Sequence, residues 1–135
     1  MSEIDSFLAR LIVNCAPHLT CGVDLEYVSN AENEEWLELG DTKISLEIVD
    51  IEFLKDYVIG LQTHLGEFTA SPDLFKKIAL TSKMLVSTVA REISKTKIDV
   101  YIASEMIVTG DERNDARSLA AHIDSIYFAK KELAF

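Results

Sequence analysis

The sequence predicts an α+β fold: a mainly antiparallel sheet with three helices, in the order α-β-β-β-α-β-(β)-α. Three observations carry this expectation. The N-terminal stretch, a central stretch and the C-terminal stretch each repeat apolar residues at helical spacing. Between them, segments such as Ile44-Ser45-Leu46-Glu47-Ile48 and Ile98-Asp99-Val100-Tyr101-Ile102 alternate apolar and polar residues, the period of a half-buried strand. The early strands are joined by short turns, which favours an antiparallel meander.

Residues 2–15 read as an amphipathic helix, with Ile4, Phe7, Leu8, Leu11, Ile12 and Cys15 on one stripe. Ser2 with Asp5 resembles a capping box, and Asn14 and Pro17 mark the end. Residues 19–28 then change period, with Val23, Leu25 and Tyr27 alternating with Asp24 and Glu26. A polar connection over 29–35 leads to a second strand with Trp36, Leu37 and Leu39. Gly40-Asp41 is a turn signal, and Ile44, Leu46 and Ile48 form a third strand. Residues 51–55 fit either a turn or a strand. Tyr57 to Leu65 is strand-like, with Gly60 as a bulge or a point of close approach.

The longest periodic stretch is Ser71 to Ile93. Ser71 is a suitable N-cap, Pro72 suits the first helical position, and Asp73 complements the helix dipole. Its stripe runs Leu74, Ile78, Ser82, Leu85, Val89, Ile93, and a second patch holds Leu80 and Met84. A surface helix needs one apolar face; a second face predicts that this helix packs on its own domain and also on something else, either a covering loop or, the favoured reading, a second copy of the chain. The expected dimer contacts are Leu80, Met84, Ser87, Thr88 and Arg91. Ile98 to Val108 follows as a strand. The last helix is capped by Asp111 or Asn114, carries Ala116, Leu119, Ala120, Ile123, Ile126, Tyr127 and Leu133, and ends with Lys130 and Lys131 where cations suit the dipole.

At 135 residues the chain reads as a single domain over 1–135, long enough to bury about two thirds of its unfolded surface. The 48% hydrophobic and 27% charged content exclude a disordered chain. No apolar run reaches the roughly 20 residues of a membrane helix. The opening MSEIDSF lacks a basic stretch before an apolar run, so no secretory signal is expected, and a cytoplasmic location is. Cys15 and Cys21 are too few for a disulfide framework. The net charge of −10 argues against nucleic acid and anionic membranes as partners. Between Asp24 and Asp56 stand eleven acids against Lys43 and Lys55, either a solvated sheet face or a surface that attracts a basic segment.

Chemistry-bearing patterns are sparse. His18, His64 and His122 lack zinc-helix spacing, and the two cysteines lack the pairing of a zinc knuckle, so no metal or cofactor is expected. No phosphate loop and no nucleophile elbow occur. His64 near Glu67 has the outline of a base with an orienting carboxylate, but a histidine at a strand end is more commonly an ordinary surface residue. Glu47, Asp50, Glu52 and Asp56 lack the glycine-containing spacing of a calcium loop. The chain therefore reads as a non-enzyme.

The segments DTKISLEIVD (41–50), YVIGLQTHLGEF (57–68) and PDLF (72–75), with the strand 98–108 and the final helix, resemble the class I chaperones of type III secretion. The Asn-Leu-like signal frequent in that family's central helix is not present. The resemblance implies a homodimer built on the central helix and no catalysis. It also implies an extended N-terminal segment of a secreted effector as partner, wrapped around the dimer and kept soluble for export. The expected partner surface is the exposed margin of the first helix, Phe7, Leu8, Leu11 and Ile12, with the neighbouring Val23 and Leu25. The competing expectation is a small non-enzymatic adaptor domain that docks a folded protein.

Overall fold

The computed structural model describes residues 3–30, 32, 34–51, 56–81 and 85–133. Its order is α1 (Glu3–Cys15), a 3-10 turn (Ala16–His18), β1 (Leu25–Ser29), β2 (Glu35–Leu39), β3 (Thr42–Ile51) and β4 (Asp56–Thr69). Then come α2 (Pro72–Thr81), β5 (Ser87–Glu92), β6 (Lys97–Val108) and α3 (Glu112–Glu132). The fold is α+β, with three helices on a six-stranded antiparallel sheet of order β1-β2-β3-β4-β6-β5. The meander over β1–β4 is as the turn signals predict. Leu39 pairs with Thr42, so Gly40 and Asp41 alone make the β2–β3 turn, and Gly40 has φ +60, the conformation such two-residue hairpins require. The Nζ of Lys130 reaches Thr42 Oγ1 at 3.2 Å and holds this turn against α3.

One parity of each strand faces the helices. Leu37, Leu39, Ile44, Ile59, Leu61, Ile102 and Met106 pack with Leu8, Leu11, Ile12 and Cys15 of α1 and with Leu119, Ile123 and Ile126 of α3 in one core. Leu74 and Ile78 of α2 close over Ile98 and Val100 at the far end of the same sheet face. All three helices therefore cover one face, and among the described residues no element covers the other, the bare face. Antiparallel sheets tolerate this because alternate residues are polar.

The expected helix over 71–93 is corrected. Ser71 caps it as predicted, its Oγ accepting from Leu74 N–H at 3.1 Å, but α2 ends at Thr81. Ser82 and Met84 lie outside the described residues. Residues 87–92 form β5, paired with β6 from Ser87↔Ala103 to Glu92↔Ile98. The reason is that Leu85, Val89 and Ile93 are four residues apart, a spacing that keeps one face in a helix and in a strand alike. The β-branched Val86, Thr88 and Val89 favour the strand. Gly60 is no bulge: it pairs in regular register with Glu47 and Glu105, and the register shift falls between His64 and Gly66. Of 51–55, Ile51 ends β3 and the rest lie outside the described residues, as does the Ser2 of the expected capping box. The first strand begins at Leu25 rather than near Leu19, and Asp111 caps α3, accepting from Arg113 N and Asn114 N at 3.1 Å.

Because Leu11 is closed between α1 and α3 while Val13 on the same helix is 71% exposed, the two sites will respond differently to truncation. Leu11→Ala is expected to cost about 2–5 kcal/mol, and Val13→Ala to stay within about 0.5 kcal/mol. Urea unfolding of both variants measures the difference.

Candidate functional site

The bare sheet face is assembled from the strand positions that alternate with the core. Along β3 these are Ser45, Glu47 and Val49; along β4, Val58, Gly60, Gln62 and His64; along β6, Tyr101, Ala103, Glu105 and Ile107. Register places them in rows across the strands. Val49, Val58 and Ile107 form one row, and Glu47, Gly60 and Glu105 form the next. Ile107 is 63% exposed and Val49 45%, so the first row is an apolar platform open to solvent. On β2, Trp36 Nε1 donates to Glu38 Oε1 at 2.9 Å, and Lys43 Nζ sits 4.3 Å over the indole ring. At the other end, His64 stacks on Tyr101 with ring centroids 4.7 Å apart, and its Nε2 lies 3.1 Å from Asp99 Oδ1. The carboxylate beside His64 is thus Asp99, across the strand pair, rather than the expected Glu67. No nucleophile is bonded to this pair among the described residues.

The expected partner surface on α1 is not exposed. Leu8, Leu11 and Ile12 are buried in the core against α3; Phe7, Val23 and Leu25 are half-buried and pack on its edge. The dent beside Phe7, Arg10, Leu11, Asn14 and Glu112 holds about 10 Å³, room for a single water at most. The stripe is apolar as its spacing predicts, but one stripe serves one face, and α3 covers it. A larger hollow of about 330 Å³ lies between Val23, Asp24, Glu26, Glu38 and Gly40, where Glu26 and Glu38 stand opposite each other on β1 and β2.

The expected dimer contacts also separate. Leu80 lies at the end of α2 and is 68% exposed. Ser87, Thr88 and Arg91 lie on the edge strand β5, where Ser87 and Arg91 share the bare sheet face with Val89 and Thr88 points to the helix side. Met84 lies outside the described residues. Phe75, Leu80, Leu85, Val89 and Ile93 together make the α2–β5 span rich in exposed apolar side chains.

Buried polar groups hold the helix layer. Asp124 of α3 accepts from the backbone N–H of Thr20 at 3.0 Å and of Cys21 at 3.2 Å, and from the Thr20 hydroxyl at 3.0 Å, which ties the segment after α1 to α3. Asp115 does the same for Thr109 and Gly110. Burial, with the Asp124 carboxylate nearby, pushes the Cys15 thiol up to about 12, so it is an inert core residue. Ser104 and His122, distant in sequence, meet in the core. Ser104 Oγ donates to the Leu85 carbonyl at 2.6 Å and contacts His122 Nδ1. A hydroxyl has one proton, so Nδ1 must be the donor in the second contact. The imidazole is therefore not poised to take the serine proton, and among the described residues no carboxylate orients it. The pair is a structural link between α3, β6 and Leu85, just before β5.

Among the described residues no three His, Cys, Asp or Glu side chains gather into a metal-binding group, and no helix is long and apolar enough to cross a membrane. Compared with known proteins, the chain matches no family model, no curated protein and no solved structure.

The open face was legible only by subtraction. Val49 follows Ile48, and Ile107 stands between Met106 and Val108, so each breaks the alternation with an apolar residue at a solvent position. Asp50, Glu52 and Asp56, from the carboxylate-dense stretch, lie outside the described side chains.

Burial holds His122 below its ordinary pKa of 6.5. The folded protein then binds a proton less readily than the unfolded chain, so this group's contribution to stability is present above that value and is lost as pH falls below it. Between about pH 7.5 and pH 5.5 the urea midpoint is expected to fall more steeply in the native protein than in a His122→Gln variant; equal slopes would contradict this.

Proposed function

We propose that this protein is a holding chaperone of the class I type III secretion kind. It acts as a homodimer in the bacterial cytoplasm and keeps the N-terminal segment of a secreted effector extended and export-competent. The observation that carries this reading is the one-sided layering: all three helices cover one sheet face, while the other presents exposed Val49 and Ile107 on either side of half-buried Val58, with β1 and β5 as the outer strands of the sheet. Large exposed apolar surface on a small domain marks a place where another chain docks. An extended polypeptide fits a sheet in two ways, by lying on its face and by adding a strand at an edge. The element order is helix, four strands, helix, two strands, helix, with the central helix ending at Thr81.

The exposed apolar side chains of the α2–β5 span support a second copy docking at that end of the sheet, leaving the rest of the bare face for the client. Holding requires no reaction and no cofactor. Its affinity comes from a long wrapped segment, reduced by roughly 2–5 kcal/mol for ordering a disordered ligand. The acidic balance, −10 overall, raises the encounter rate with a basic segment and makes binding weaken with salt.

Light scattering after size exclusion tests the reading. The protein alone is expected at twice 15.1 kDa, and co-expression with the protein encoded by the adjacent gene is expected to give a complex that protects an N-terminal stretch of that protein from proteolysis. A monomer that co-elutes with nothing would refute it, and co-elution with a fully folded partner would favour an adaptor domain.

A further inference from the structure

We infer that the bare sheet face recognises an extended polypeptide segment carrying an apolar side chain and a basic side chain two residues apart, with the basic one lying over Gly60. This deepens the chaperone reading by naming the chemistry of the client segment, and it rests on that reading for the identity of the partner.

The inference starts from a glycine that the fold does not require. Gly60 sits inside β4, a central strand, in regular register with both neighbours. Its φ is not positive. A Cβ built there would meet nothing nearer than the Glu47 carbonyl oxygen at 3.7 Å and Glu47 Cβ at 3.8 Å, ordinary contacts. Glycine inside a strand weakens it, and where neither backbone nor packing calls for it, close approach by a ligand is the remaining reason.

The surroundings define what approaches. Glu47 and Glu105 stand directly across from Gly60 on β3 and β6, and both are exposed. Neighbouring strands are about 4.8 Å apart, so the two glutamates flank a notch about 10 Å wide with a bare floor. Neither carboxylate is in an ion pair among the described residues. Two residues along the strands, about 6.8 Å away, lies the platform of Val49, Val58 and Ile107. That interval is also the spacing of same-side residues in an extended chain. A segment lying along β4 therefore sets an apolar side chain on the platform and, two residues on, a lysine or arginine in the notch between the carboxylates. The net charge of −10 favours the same kind of partner at long range. An acidic segment would meet repulsion at both glutamates.

The test uses three fluorescein-labelled peptides of equal length, repeats of Val-Ser-Lys-Ser (valine–lysine), Val-Ser-Glu-Ser (valine–glutamate) and Ser-Ser-Lys-Ser (serine–lysine), which set the two side chains two residues apart on one side of an extended chain, titrated against the full chain by fluorescence anisotropy. Only the valine–lysine peptide is expected to bind. Gly60→Val fills the notch with a residue that strands favour, so it is expected to leave the melting temperature unchanged or raised while weakening that peptide about tenfold or more. Glu105→Gln is expected to weaken it by a few fold and to flatten its salt dependence. Equal binding of all three peptides, or undiminished binding by Gly60→Val, would overturn the inference. So would a lowered melting temperature in Gly60→Val, because the glycine would then have a structural reason. The outcomes separate from those above: a captured client indifferent to Gly60→Val sinks this inference alone, and Gly60-dependent peptide binding without any client sinks the chaperone reading alone.

Discussion

Strand β6 alternates without interruption from Lys97 to Val108, and the rest of the structure depends on that alternation. Its inward residues, Ile98, Val100, Ile102, Ser104, Met106 and Val108, are buried one after another, and all three helices are placed with respect to them. α2 covers the Ile98–Val100 end, while α3 covers the remainder together with α1. A strand of this length pairs with β4 on one side and β5 on the other, so it joins the meander to the segment that follows α2. A one-residue slip would turn every inward side chain to solvent, which is why the register is strongly specified.

The two sides of the sheet are held by different physics. On the helix side, apolar burial dominates, and each buried polar group is matched. Asp124 and Asp115 satisfy backbone donors of segments that have no ladder of their own, and Ser104 and His122 satisfy each other beside the Leu85 carbonyl. Such groups cost stability if left unpaired, so they also specify where α3 sits. On the bare side, little is buried and little is bonded. Among the described residues its side-chain contacts are those of the Trp36–Glu38–Lys43 group and the His64–Tyr101–Asp99 group. The division of the molecule into a packed layer and an open one underlies both functional readings.

Much of the candidate site was hidden by the same periodicity that revealed the fold. Leu8, Leu11 and Ile12 were legible as an apolar stripe, but a stripe does not say what covers it, and α3 does. Leu85, Val89 and Ile93 looked helical because a spacing of four residues satisfies both periods. Only the pairing of β5 with β6 shows Val89 on the exposed face of an edge strand, with Leu85 and Ile93 exposed just beyond its two ends. Gly60 stood out in the sequence as an oddity, yet its neighbours Glu47 and Glu105 are far from it in the chain and were brought beside it by strand register.

The sequence by itself determined what local energies control: the α+β class, the alternation of β3 and β6, the Gly40-Asp41 turn, the Ser71 cap of α2 and the acidic balance. These depend on residues within one or two turns of each other, so their signals are short-range. Tertiary structure alone decided that β5 is a strand, that all three helices share one sheet face, and that Val49, Val58 and Ile107 meet on the other. Those outcomes follow from contacts between residues tens of positions apart, and at that range burial against a neighbouring element overrides local propensity.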